Sequence, residues 1–183
     1  MDKIKESDLK VLFKKEVIQE KIALLAKKLN EDYHNEEVYL ICVLKGSIMF
    51  MADLAKHLTM PLKMEFIRLS SYGSGFSTSG KVNAVDISLP DLNNKNVLII
   101  EDIIDTGHTA KFLVDFINLN FKVKTLKFCS LLDKKVRREV DIDADYYAFE
   151  VDDKFLVGYG LDYDGYYRNL PYVGYIDIES IDN

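Results

Sequence analysis

Apolar residues recur along the chain in two rhythms. At Ile18, Ile22, Leu25, Ala26 and Leu29 they return every three or four positions, the period of an amphipathic helix. From Val38 through Leu44 they run unbroken, as in a strand buried on both faces. Lys45, Gly46 and Ser47 interrupt that run; Ile48, Met51, Ala52 and Ala55 resume helical spacing, and Pro61 precedes a strand over Leu62 to Leu69. Strand, helix and strand make one βαβ unit. A second follows: Val97, Leu98, Ile99 and Ile100 as a buried strand, a helix near Ala110 to Leu119 marked by Ala110, Leu113, Val114 and Ile117, and a strand over Leu126 to Leu132. Shorter strands are expected at Tyr146 to Phe149 and Leu156 to Tyr159. The alternation predicts an α/β fold built on a mostly parallel sheet flanked by helices. With no internal repeat or linker, residues 1–183 read as a single domain.

Composition narrows the function classes. A length of 183 residues with 48% apolar content suits one sizeable core. A formal charge of -6 disfavours a general nucleic-acid or membrane surface, so an anionic substrate needs local help from particular cations and backbone amides. Cys42 and Cys129 each lie in an apolar run and are expected as buried free thiols, which fits a reducing cytoplasm. The opening MDKIKESDLK lacks the apolar core of a signal peptide, and no stretch approaches the roughly 18 apolar residues of a membrane span.

The chemistry concentrates where the second βαβ strand gives way to its helix. After Val97 to Ile100 come Glu101, Asp102 and Asp105, then Thr106, Gly107, His108 and Thr109. Open α/β sheets bind ligands at such strand ends. Gly107 tolerates positive φ, the threonines donate, and the N–H groups of the helix start suit a phosphate. The acids cannot bind phosphate directly; Glu101 and Asp102 suit sugar hydroxyls or a divalent cation, and Asp105 is a candidate general base. Lys45, Gly46 and Ser47 repeat the logic at another strand end. From Ser70 to Gly80, nine of eleven residues are Ser, Gly or Thr, a composition that builds no core. Set between two strand-like runs, Leu62 to Leu69 and Val82 to Leu89, the segment reads as a long hairpin arm. Gly158-Tyr159-Gly160 and Gly73-Ser74-Gly75 lack the third glycine of a dinucleotide fingerprint, and the three histidines have no metal-binding spacing.

Val97 to Thr109 resembles the phosphoribosyl-pyrophosphate signature of the type I phosphoribosyltransferases: apolar residues, two acids, two apolar residues, then D-T-G-x-T. Leu44-Lys45-Gly46-Ser47 resembles the pyrophosphate loop of the hypoxanthine-guanine branch, in which the peptide before the glycine can be cis. Lys154 to Leu170 resembles that branch's purine-site segment. By this resemblance Glu101 and Asp102 contact ribose hydroxyls or metal, and Asp105 through Thr109 hold the 5′-phosphate. Lys45, Gly46 and Arg168 meet pyrophosphate; Lys134 donates to the purine 6-oxo group, Phe155 stacks on the ring, and Leu156 offers its backbone to the base edge. Asp162 binds a second Mg²⁺, and Ser71-Tyr72 belong to a closing lid. The resemblance also implies a small hood from the N-terminal helix and the segment after Asp133, and a homodimer or homotetramer.

The implied activity is purine salvage, with 5-phosphoribosyl transfer from phosphoribosyl pyrophosphate to N9 of hypoxanthine or guanine. Asp105 would serve purine N7, and adenine would be refused because its 6-amino group presents a donor to a donor at Lys134. A xanthine-preferring enzyme remains an alternative. A pyrimidine enzyme is disfavoured by Lys134 and Phe155, and a non-catalytic regulator by the acidic balance and the retained Asp105, Ser71-Tyr72 and Arg168.

Overall fold

The computed structural model describes residues 9–71 and 82–176, with no account of side chains at 70, 71 and 82–86. A six-stranded sheet carries the core. Its strands are β2 (Val38–Leu44), β3 (Leu62–Ser71), β4 (Val82–Asp86), β5 (Asn96–Ile104), β6 (Thr125–Asp133) and β7 (Tyr146–Glu150), in the spatial order β4-β3-β2-β5-β6-β7. Strands β3, β2, β5, β6 and β7 are mutually parallel, and β4 joins the edge antiparallel to β3. The continuous apolar runs of β2 and β5 follow from this placement, since the strands have packed layers on both faces.

Alternate residues serve opposite layers. Val38, Leu40, Cys42, Leu98 and Ile100 pack with α1 (Lys15–Tyr33) and α2 (Ile48–His57). Tyr39, Ile41, Val43, Val97 and Ile99 pack with α3 (His108–Asn120) through Ala110, Leu113 and Ile117. The predicted stripe of α1 is buried from Ile18 to Leu29. The stripe of α2 differs from the sequence expectation: Phe50, Met51 and Leu54 are buried, while Ile48 and Ala52 face outward. Packing the bulkier Phe50 and Leu54 removes more apolar surface than packing two alanines would, which turns the helix toward them. Cys42 and Cys129 are buried free thiols, and no helix among the described residues is long and apolar enough to cross a membrane.

A second, three-stranded sheet has the order β1-β9-β8, from β1 (Leu9–Phe13), β8 (Phe155–Val157) and β9 (Val173–Ile176). The N-terminal helix expected in the hood lies instead on the main sheet, against α2 and β7, because its apolar stripe is spent on that core. The N-terminal contribution to the small sheet is strand β1, which the hydrophobic pattern did not reveal.

Candidate active site at the strand ends

The direction of winding reverses between β2 and β5: β2 crosses over through α2 to β3 on one side, β5 through α3 to β6 on the other. Such a switch point leaves a crevice beyond the strand ends. Cys42 lies beside Ile100 in the ladder, so the turn after β2 comes out next to Glu101 and Asp102. The cis peptide of that turn is Leu44–Lys45, one bond earlier than Lys45–Gly46, where the sequence reading looked for it. The strand itself ends at Leu44, so the turn starts there.

Gly46 is buried against Asp102, and a Cβ on it would overlap the Asp102 carboxylate. On its other side lies Gly160, with φ 102°, where a Cβ would overlap the Gly46 carbonyl oxygen. Three remote segments thus meet, the Asp102 carboxylate against the Gly46 backbone and the Gly46 carbonyl against Gly160. Tyr159 holds the third in place: its hydroxyl donates to Asp53 Oδ2 on α2 at 2.6 Å, and Gln19 Nε2 donates to the same oxygen at 2.7 Å. Burial pushes the Asp53 carboxyl up, but hydrogen bonds from Tyr159, Lys56 and Gln19 outweigh it and leave the group below its ordinary range.

Glu101 and Asp102 are under electrostatic tension. Glu101 Oε2 is buried without a hydrogen-bond partner, and desolvation, then the Asp102 charge, holds its carboxyl well above the usual range. Desolvation pushes Asp102 up to about 6, although the backbone N–H groups of Ile103 and of Asp102 itself and the Arg168 charge pull the other way. Adjacent carboxylates that burial penalises are suited to a hard divalent cation, which supplies the missing positive charge. Among the described residues no three metal-ligating side chains cluster, so substrate oxygens and water would complete the shell, as Mg²⁺ usually requires. Asp162, whose charge also acts on Asp102, is already partnered: Oδ1 lies 2.5 Å from Arg168 Nη2, and Oδ2 accepts from the Gly165 N–H at 2.7 Å. Arg168 Nη1 donates to the Gly160 carbonyl at 2.6 Å.

Asp105 through Thr109 form the turn from β5 into α3. Gly107, with φ 89°, ends it as the residue capping α3, and His108 and Thr109 begin the helix, whose first N–H groups have no intrahelical acceptors. His108 Nε2 lies 2.8 Å from Glu139 Oε2. Asp105 Oδ1 is buried without a partner, and its Oδ2 lies 3.5 Å from Arg137 Nη1.

The residues that the resemblance assigns to the base lie just after β6 and on β8 of the small sheet. The Lys134 N–H donates to the Ile104 carbonyl at 2.9 Å, fixing it beside β5. Its side chain is only 6% exposed, and Nζ donates to the Lys154 carbonyl at 2.8 Å, just before Phe155. Phe155 meets Tyr163 edge to face with centroids 5.6 Å apart, and Leu156 is buried behind it. Lys45 is exposed at its turn. Ser71 ends β3 opposite Val82, while Tyr72 lies outside the described residues.

Sequence reasoning missed Arg137, Arg138 and Gly160. Lys134-Lys135 and Arg137-Arg138 place four cations within five residues after a buried strand, a density that could have marked the segment. Gly160 was weighed only against a dinucleotide fingerprint.

Residues 10–164 match the family model of the phosphoribosyl transferase domain. The hypoxanthine-guanine phosphoribosyltransferase of Streptococcus thermophilus is 43% identical over 95% of this chain and 97% of its own; that of Bacillus subtilis is 46% identical over 90% and 91%. The crystal structure of a hypoxanthine phosphoribosyltransferase from Staphylococcus aureus superposes with a TM-score of 0.90 at 40% identity, covering 100% of both chains. With its two loops meeting at the switch point and relatives matched along nearly its whole length, the chain belongs to the hypoxanthine-guanine branch of the phosphoribosyltransferase family.

Proposed function

We propose that this chain transfers the 5-phosphoribosyl group from phosphoribosyl pyrophosphate to N9 of hypoxanthine or guanine, giving IMP or GMP and pyrophosphate. The observation that carries the reading is that the Lys45–Gly46 turn meets Asp102 of the Glu101–Thr109 segment, with Lys134 bonded to the end of β5 and to the Lys154 carbonyl beside it. The curated relatives are named for this activity.

The loop from Asp105 to Thr109 binds the 5′-phosphate through its amides and hydroxyls, and Glu101 and Asp102 address the ribose hydroxyls. Glu101 and Asp102 would also hold Mg²⁺, with Asp162 near a second ion; bound there, Mg²⁺ neutralises the charge of the departing pyrophosphate. Lys45, the Gly46 backbone and Arg168 add positive charge where that leaving group forms. Phe155 stacks on the purine, the Leu156 backbone meets its edge, and Lys134 donates to the 6-oxo oxygen. Asp105 accepts the N7 proton as N9 attacks C1′, with its unpartnered Oδ1 as the acceptor atom. Ser71 and Tyr72 keep a lid role in this reading, that of excluding water, which would otherwise compete for C1′. Buried thiols suit a cytoplasmic setting, and self-association as a dimer or tetramer belongs to the same reading.

The test offers hypoxanthine, guanine, xanthine, adenine and uracil in parallel with phosphoribosyl pyrophosphate and Mg²⁺, following nucleotide and pyrophosphate. Turnover of 6-oxopurines alone supports the proposal. Preferential use of xanthine reassigns the substrate, uracil or adenine turnover overturns the base assignment, and binding without turnover of any base indicates a regulator.

A further inference from the structure

The connection from β6 to β7 contains no α-helix, unlike the other parallel crossovers of the sheet. Residues 134–145 run as a strap with one 3-10 turn, Lys135–Arg137. At its centre Arg138 is 13% exposed, and each nitrogen of its guanidinium has its own acceptor. Nε donates to the backbone carbonyl of Asp105 at 3.2 Å, Nη1 to the carbonyl of Ile142, and Nη2 to the carboxylate of Asp133, itself 1% exposed at the end of β6. Asp143 Oδ1 adds a longer contact at 3.7 Å. Next along the strap, the Glu139 N–H donates to the Thr106 carbonyl at 2.9 Å. Gly107 has the strap against its outer side: a Cβ there would come within 2.8 to 2.9 Å of Ile142, Arg138 and Val140.

We infer that Arg138 is a positioning residue for the 5′-phosphate loop, acting through the Asp105 carbonyl without touching substrate. The inference rests on the assignment of that loop to phosphate. The carbonyls of Asp105 and Thr106 are both taken up on the strap side, which fixes the peptide planes whose amides must face an anion. A preorganised loop spends less binding energy on ordering itself. The three acceptors are spread around the separate nitrogens of a planar fork, a spacing that the single ammonium nitrogen of lysine does not reproduce. Asp133 directly precedes Lys134, so the anchor for the phosphate loop is the strand end that also presents the base-reading lysine.

The test is Arg138→Gln and Arg138→Lys, reading the Kd for ribose 5-phosphate by calorimetry alongside KM for phosphoribosyl pyrophosphate and for hypoxanthine. Both variants are expected to weaken ribose 5-phosphate and raise the phosphoribosyl-pyrophosphate KM by about tenfold or more, with hypoxanthine KM changed less than about twofold at saturating co-substrate. An unchanged ribose 5-phosphate Kd, full rescue by lysine, or parallel shifts in both KM values overturns the inference. Loss of a buried partner can prevent folding. In that event Asp133→Asn, which keeps the shape and removes the negative charge that Nη2 faces, must weaken ribose 5-phosphate in the same direction, and an unchanged Kd overturns the proposal. If the parent chain turns over no 6-oxopurine yet the binding losses appear, the substrate assignment fails and the role of Arg138 stands.

Discussion

Asp102→Asn separates what the site contributes to catalysis from what it costs the fold. Asparagine keeps an acceptor for the Ile103 N–H, now 2.9 Å from Oδ1, and fits the space against Gly46. It removes the ionisation. Asp102 is raised from 3.8 to about 6 in the folded chain, chiefly by desolvation, so as pH rises the unfolded chain loses its proton first. Ionisation therefore favours unfolding: the cost is absent below the unfolded value, grows between about pH 4 and 6, and is constant above. A difference of about two units amounts to about 3 kcal/mol at pH 7.5 and about half that at pH 5. An amide N–H₂ without a partner returns about 1 kcal/mol or more of that gain. Urea unfolding in EDTA should then find the variant more stable by about 1 to 3 kcal/mol at pH 7.5, with a gap that narrows on acidification. Adding Mg²⁺ and phosphoribosyl pyrophosphate should stabilise the parent more than the variant, and turnover should fall. A parent that is the more stable protein at every pH, or a gap that does not depend on pH, refutes the reasoning.

Three further outcomes can be checked by kinetics and spectroscopy. Asp105→Asn should lower kcat by about a hundredfold or more, the scale of a general-base contribution, with little change in nucleotide binding; unchanged kcat under conditions where chemistry limits the rate removes Asp105 from that role. Lys134→Gln exchanges a pure donor for a side chain that also accepts, so the ratio of hypoxanthine to adenine kcat/KM should fall, and an intact ratio moves the selector elsewhere. Gly160→Ala brings a methyl group onto the Gly46 carbonyl at a φ that side chains resist. It should abolish measurable pyrophosphate affinity while circular dichroism of the main sheet persists, and near-native affinity contradicts the described packing.

The central strands β2 and β5 were legible because burial on both faces writes itself as unbroken apolar runs, and Val38–Leu44 was bounded correctly by that signal alone. The helix stripes of α1 and α3 were equally plain. The inward face of α2 was not, because nearly every position from Ile48 to Ala55 is apolar and periodicity then has little contrast. β1 and β9 are short strands whose partners lie at the opposite end of the chain, a pairing no local pattern encodes. The acids and the D-T-G turn stood out through their chemistry against a buried strand. Arg138 and Gly160 did not, since their roles depend on carbonyl groups, and every residue carries one. Tyr159 and Asp53 are 106 positions apart, and their hydrogen bond belongs to the tertiary fold.

The stack of Asp102, Gly46 and Gly160 also orders events in time. A chain emerging from the ribosome N-terminus first holds the Gly46 turn and the turn into α3 well before residue 160 exists. The Gly46 side of the crevice stays open until Gly160 comes down and Tyr159 reaches α2. A chain interrupted before Gly160 therefore carries the whole turn into α3 yet lacks one wall of the crevice.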